Sequence, residues 1–364
     1  MRITRFELGL LRVPLRTPFR TALRTVDEIA DVVLRLHTGS GQVGHGGAPA
    51  TAAITGDTHA SIIAALRGHI GPRLVGLPVA RLGEACAAIQ AALPGNPSAK
   101  AAAEIAVYDL WAQLHGAPLY QLLGGGTPRL ASDITISVGG VEGMVADSLQ
   151  ALGAGYTALK IKIGTDPALD LERVRAVHAA VAGRASLRLD ANQGWSPEQA
   201  VQVMHQLEAG GIVAELLEQP VAAADLAGLK YVSERIQTPV MADEAVFDPR
   251  QAIELLRQRA AAIINIKLMK AGGISRALRI ADLAAEHGVR CMVGCMLESA
   301  IPAAAAAHLA VARADVVGLV DLDAPALGRH NPVRGVEFDG PLVRLGEAPG
   351  LGIQALPELE PLPG

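Results

Sequence analysis

From residue 134 onward the hydrophobic and polar positions repeat one rhythm: a short apolar run, a turn, then a stretch with apolar residues at helical spacing. The apolar runs fall at 134–138, 158–163, 186–190, 215–218, 240–243, 262–267, 290–293 and 317–321, and each reads as a β-strand. Strands in that number, alternating with helices, predict a closed α/β barrel rather than an open sheet. Ser196 and Ser275 are candidate N-caps of helices between them. Upstream the pattern differs. Runs at 3–13 and 31–37, flanking a polar 17–25 stretch, predict strands with a glycine turn at 39–41, and helical periodicity follows at 58–70, 79–93 and 99–115. This is a compact α+β unit, and the tail from about Pro325 is expected to return to it.

Chemistry enters at the ends of the barrel runs. In LKIKIG, alternation puts Lys160 and Lys162 on one face and Leu159, Ile161 and Ile163 on the other. With the apolar face against helices, both ammonium groups point into the barrel, where unpaired charge is costly. Asp190, Glu218, Asp243, Lys267 and Asp321 close later runs, and from Lys162 to Lys267 the steps between them are 24 to 28 residues, one strand plus one helix. Charged residues at strand after strand's C-terminal end form the functional face of a (β/α) barrel. Any one carboxylate alone would as readily cap the next helix. Asp190, Glu218 and Asp243 together, from consecutive strand ends, are hard oxygen donors suited to Mg²⁺. Lys162 and Lys267 lie on the second and sixth strands, opposite one another in a closed barrel. They could take a proton from one face of a carbon and return it to the other, given a pKa lowered by Lys160, the metal and burial.

Composition narrows the partners. A net charge of −4 gives no case for nucleic acid or an anionic membrane, and the alanine-rich 300–312 window, broken by Pro302 and His308, is too short to span a bilayer. The start carries no cleavage-like apolar run, and Cys86, Cys291 and Cys295 form no CxxC pair, so a cytoplasmic protein with reduced thiols is expected.

LKIKIG, LRLDANQGW (187–195), LLEQP (216–220), MADE (241–244) and NIKLMKAGGI (265–274), in that order, resemble the enolase superfamily in its muconate lactonizing enzyme subgroup, and WAQLHGAPLYQLLGG (111–125) resembles the hinge into that family's barrel. The resemblance implies a modified TIM barrel, (β/α)7β, at 126–324, under an α+β capping domain at 1–125 that the 325–364 segment rejoins. It implies Mg²⁺ on Asp190, Glu218 and Asp243, Lys162 and Lys267 as acid/bases, Lys160 as electrostatic support, and Asn192 and Asn265 behind the ligands. The shared step is removal of a proton α to a carboxylate. Lys267 on the sixth strand, and no histidine in 290–299, argue against the racemases and dehydratases that use a late histidine base. Asp321 and Asp323 form a DxD pair resembling that of dipeptide epimerases, and two carboxylates there suit a substrate's α-ammonium group. Arg24 and Thr135 resemble substrate contacts of alanyl-glutamate epimerases. A small-molecule dipeptide substrate is therefore expected, at the C-terminal residue of which the α-carbon is inverted. N-acylamino-acid racemase, muconate-type cycloisomerase and a catalytically silent barrel are the alternatives. The resemblance allows a homo-oligomer, though no stretch marks an interface. One departure stands out: the family's Gly-x-Gly-Glu-Ala loop reads GHGGAP, with Gly47 where Glu is common. His45 in that loop is expected to be exposed.

Overall fold

A computed structural model describes residues 1–362. Strands β1 (Ile3–Arg20), β2 (Thr25–Thr38) and β3 (Val43–Pro49) form an antiparallel sheet. The polar 17–25 stretch expected between strands instead belongs largely to them. Phe19 and Arg20 still pair with Val26 and Thr25 after a register shift, so only residues 21–24 turn. Helix Pro97–Leu114 crosses β3. There Gly44 and Gly46 admit the helix backbone, since a Cβ on either would stand 2.3 Å from Ala106 O or 1.9 Å from Ala102 O.

The strand β4 (Arg129–Ala131) leads into eight parallel strands: β5 (Ile134–Ile136), β6 (Ala158–Lys162), β7 (Ser186–Asp190), β8 (Leu216–Glu218), β9 (Val240–Ala242), β10 (Ile263–Lys267), β11 (Arg290–Gly294) and β12 (Val317–Asp321). They pair in chain order, and helices of 8 to 15 residues fill the intervals from Val141–Gly153 to Ala300–Ala312. The barrel closes between β5 and β12 through Asp133 N–H to Val320 O (3.3 Å) and Leu322 N–H to Ser132 Oγ (2.8 Å).

Alternation sorts each strand. Ile264 and Ile266 of β10 join the core shared with the helices, whereas Ile263 meets Leu216, Met241, Met292 and Leu319 in a cluster of their own inside the barrel. Above that apolar plug the same inward stripe carries Asn265 and Lys267. The plug thus lies below the charged residues at the strands' C-terminal ends. The tail adds β13 (Glu337–Asp339) and β14 (Leu342–Arg344), β13 pairing with β14 and β14 with β4, and Glu360 exchanges backbone hydrogen bonds with Leu10 of β1 at 2.9 Å.

Ser196 caps its helix, with a reciprocal bond from Gln199. Ser275 does not: the helix Ile274–Glu286 starts one residue before it, after Gly273, and both Ser275 N–H and Oγ–H donate to Glu104 of helix 97–114. A buried carboxylate from another element takes the capping role there. His45, expected to be exposed, is part-buried in β3, its N–H donating to Asp109 Oδ2 at 2.9 Å. No helix among the described residues is long and apolar enough to cross a membrane.

Candidate active site

The C-terminal ends of the barrel strands deliver Lys160, Lys162, Asp190, Glu218, Asp243, Lys267 and Asp321 to one region, all of them buried. Two tight backbone crossings hold it. A Cβ on Gly164 would lie 2.0 Å from Ala191 O, and one on Gly194 would lie 2.0 Å from Gly164 O, so the glycines of LKIKIG and ANQGW let the loops after β6 and β7 touch. Nearby, Asn192, Gln193 and Gln219 adopt left-handed φ of 41°, 68° and 32°. Such strain persists only where surrounding bonds enforce it. Here Asn192 N–H donates to Asp190 Oδ1 (2.9 Å), Gln193 N–H to Gln219 O (2.8 Å), and Gln219 Oε1 accepts Asp243 N–H (2.9 Å).

Ammonium groups are interleaved with the acids. Lys160 Nζ stands 2.7 Å from Glu218 and Asp321 and 3.2 Å from Asp190; Lys162 Nζ is 2.5 Å from Asp190, and Lys267 Nζ is 2.7 Å from Asp243. Asn265 donates to Glu218 Oε1 (2.8 Å) and Asn192 to Glu244 Oε1 (3.3 Å). Burial works most strongly against Lys267 keeping its proton, yet Asp243, Glu218 and Asp321 together outweigh it and raise the pKa; Lys160 is raised likewise by Asp321, Glu218 and Asp190. At Lys267 burial and the neighbouring Lys160 act in the expected lowering direction, against the surrounding carboxylates. Glu218 is pushed up to about 7 by burial and then by Asp190, and Glu244 to about 8 by burial and then by Asp243.

Do these residues fit a divalent cation? With lysines lodged between the acids, no three His, Cys, Asp or Glu side chains among the described residues stand at ligand spacing around one point. The donor chemistry nonetheless suits one. Asp190, Glu218 and Asp243 have no exposed surface, and Glu218 Oε2 and Asp243 Oδ1 accept no hydrogen bond although ammonium nitrogens lie 2.7 and 2.6 Å away. Three buried carboxylates from consecutive strand ends, neutralised here only by lysine ammonium groups, are hard oxygen donors that fit Mg²⁺.

Above the acids a cavity of about 50 Å³ opens to solvent, and Lys160, Lys162, Lys267, Asn192, Thr135, Asp321, Asp323 and Arg24 all line it. β6 and β10, which carry Lys162 and Lys267, are four strands apart in the sheet order. Thr135 contributes through its backbone, its N–H donating to Asp323 Oδ2 at 2.7 Å. Asp323 is raised to about 6, by burial and then by Asp321. Arg24 comes from the β1–β2 turn. Its guanidinium is part-buried and, among the described residues, makes no hydrogen bond or ion pair, while burial lowers its pKa.

Sequence reasoning passed over several neighbours. Lys270 is buried against Asp243, 2.6 Å from Oδ1, and lay in plain view in KLMK, one helical turn beyond Lys267. Arg188 shares the inward face of β7 with Asp190 and binds Asp133 (2.7 Å) and Glu215 (2.6 Å); strand alternation was the signal for it. Phe19, Ile54 and Leu297 join the cavity wall from three separate elements, and no local pattern marks them.

This arrangement, opposed lysines over buried acids at the mouth of a (β/α)7β barrel with an antiparallel-sheet cap, defines an acid/base enzyme of the enolase type. Residues 7–124 match the mandelate racemase / muconate lactonizing enzyme N-terminal domain and residues 144–359 the enolase C-terminal domain-like family, and the chain belongs to that family. It is 46% identical over 355 residues to the L-Ala-D/L-Glu epimerase of Bacillus subtilis, covering 97% of each chain, and 44% identical over 357 residues to that of Clostridium acetobutylicum, covering 98% and 99%. A solved substrate-liganded complex of the B. subtilis enzyme superposes with a TM-score of 0.96, covering 97% of this chain and 99% of that one. The Enterococcus faecalis dipeptide epimerase, solved with Mg and L-Leu-L-Tyr, is 39% identical with a TM-score of 0.94, covering 97% and 99%.

Proposed function

We propose that the chain is a Mg²⁺-dependent dipeptide epimerase that inverts the α-carbon of the C-terminal residue, with L-Ala-D/L-Glu as its substrate. The observation that carries this reading is one cavity holding Lys162 and Lys267, the acids Asp321 and Asp323, and the unpaired guanidinium of Arg24. Asp190, Glu218 and Asp243 would hold Mg²⁺, which when bound supplies positive charge that acidifies the proton α to the substrate carboxylate and competes with the lysines for these oxygens.

One of Lys162 and Lys267, as the free amine, takes the α-proton; the other, as ammonium, donates to the opposite face. Lys160 is held charged by three acids, so it stabilises developing negative charge rather than exchanging protons. Asp321 and Asp323 receive the α-ammonium of the first residue, with Asp323 fixed by Thr135 N–H. Asn192 and Asn265 orient the acids beneath. Arg24 pairs with the side-chain carboxylate of the second residue. A cytoplasmic location accompanies this reading, supported by three free cysteines.

The test is incubation of the protein with a dipeptide panel and Mg²⁺ in D₂O, read by mass gain at the exchangeable α-position. L-Ala-L-Glu and L-Ala-D-Glu should each gain one deuterium and interconvert; no exchange with any dipeptide would overturn the reading. The N-acylamino-acid alternative is separated by Asp321→Asn and Asp323→Asn. Loss of a charge-assisted contact to ammonium costs on the order of 1.5 to 3 kcal/mol, so dipeptides should suffer roughly 10- to 150-fold while N-succinylated amino acids are barely affected.

A further inference from the structure

Gly47 stands where the family's loop commonly carries Glu, and what surrounds it differs from what surrounds Gly44 and Gly46. A Cβ on Gly47 would meet no backbone, but would lie 3.0 Å from Pro302 Cδ and 3.3 Å from Asp31 Oδ2. Asp31 is on the neighbouring strand: it pairs with Pro49 while Val33 pairs with Gly47, so Asp31 and Gly47 are diagonal neighbours on one face of the sheet. The Asp31 carboxylate has no exposed surface; Oδ2 accepts Ser299 N–H at 2.9 Å and Oδ1 has no partner. Ser299 opens helix Ala300–Ala312 and ends the loop whose Cys295, Met296 and Leu297 wall the reaction cavity. A carboxylate of the N-terminal domain thus crosses to the barrel and fastens that wall.

We propose that Asp31 is a positioning residue that registers the cap on the cavity wall, and that it supplies from β2 the acid that Gly47 withholds from β3. The two positions compete for one space, so one carboxylate fits it best: with Asp31 present a side chain at 47 crowds Asp31 Oδ2 and Pro302 Cδ, and with Asp31 removed an acid at 47 can serve. The effect on turnover rests on the epimerase reading; the contact itself does not.

Two readouts keep those apart. Hydrogen–deuterium exchange of the 296–301 amides needs no substrate, and kcat and KM for L-Ala-L-Glu report the cavity. Asp31→Ser should speed exchange across 296–301 at least tenfold and raise KM about tenfold, with kcat within about threefold of wild type, because the wall moves and the lysines do not. Asp31→Asn keeps an acceptor for Ser299 N–H and should restore both readouts. Gly47→Glu alone should be impaired, and Asp31→Ser/Gly47→Glu should recover to within about threefold of wild type. Unchanged exchange in Asp31→Ser, or a double variant no better than Asp31→Ser, would overturn the proposal. Should Asp31→Ser fail to fold, a soluble double variant supports it and an insoluble one overturns it. If wild type turns over no dipeptide, the exchange data still decide the contact while the epimerase reading falls on its own.

Discussion

Lys162 and Lys267 have the same chemistry but different surroundings. Lys162 meets Asp190 alone, whereas Lys267 is pinned by Asp243 at 2.7 Å with Glu218 at 3.9 Å. Two bases on opposite faces must fail separately. Lys162→Ala and Lys267→Ala should each lower epimerisation by a factor on the order of 10² to 10⁴, the usual worth of a positioned acid or base, while still exchanging the α-proton of one stereoisomer. Proton NMR in D₂O on L-Ala-L-Glu and L-Ala-D-Glu separately checks this, and a variant that epimerises at the wild-type rate would remove its lysine from the mechanism. Arg24 belongs to the same scale. A part-buried guanidinium without a partner favours a substrate that brings an anion, since an apolar side chain would leave it desolvated and unpaired. The wall beside it, with Phe19, Ile54 and Leu297, would otherwise suit an apolar residue. Wild type should therefore prefer Ala-Glu over Ala-Phe in kcat/KM, and Arg24→Met should lose that preference by roughly 10- to 150-fold. A wild type favouring Ala-Phe would refute acidic selectivity and leave the epimerase reading standing.

At the scale of elements, helix Ala300–Ala312 joins the cavity wall to the N-terminal domain and carries His308 in its interior. Nδ1 of His308 accepts Tyr120 N–H at 3.0 Å, the two rings stack at 5.6 Å, and burial lowers the imidazole pKa to about 4. The folded state thus refuses a proton that the unfolded chain accepts near pH 6.5. This contribution is complete above that pH and is lost as pH falls from 6.5 toward 4. Between pH 7.5 and 5 it amounts to about 2 kcal/mol. Buried acids with raised pKa, Asp31 among them at about 6, act in the opposite sense, so the comparison must be between proteins rather than between pH values. His308→Asn, which keeps an acceptor for Tyr120 N–H, should lose less stability than wild type over that window by denaturant unfolding; equal losses would exclude His308 as the cause. The barrel strands were legible as apolar runs, five of them closed by a charge, because strand alternation and barrel geometry are local rules repeated many times. What could not be read was set by contact between distant elements. Glu104, not Ser275, caps a barrel helix, and Asp31 reaches Ser299 across 268 residues.

The whole molecule places an excess of buried acid at the junction of cap and barrel, and what balances it decides how the protein behaves without metal. A small zinc domain unfolds on chelation because its metal replaces a core. Here the core is independent: an apolar plug fills the barrel floor, helices pack its outer face, and the acids already contact Lys160, Lys162, Lys267 and Lys270. Chelation should therefore abolish turnover but leave the protein folded at 25 °C. Added Mg²⁺ binds the native state only and should stabilise it by about 2.7 kcal/mol at a hundredfold excess over its Kd, a rise in Tm of a few degrees. The increment should vanish in Asp190→Asn and Glu218→Gln, whereas Lys160→Met, which removes a cation from the midst of the ligands, should leave an unpaired acid cluster and enlarge the response to Mg²⁺. Calorimetry of wild type and these variants, with EDTA and with Mg²⁺, gives the comparison. A chelated wild type that unfolds at 25 °C, or a Tm shift that persists in Asp190→Asn and Glu218→Gln, would mean that the cation acts somewhere other than on these acids.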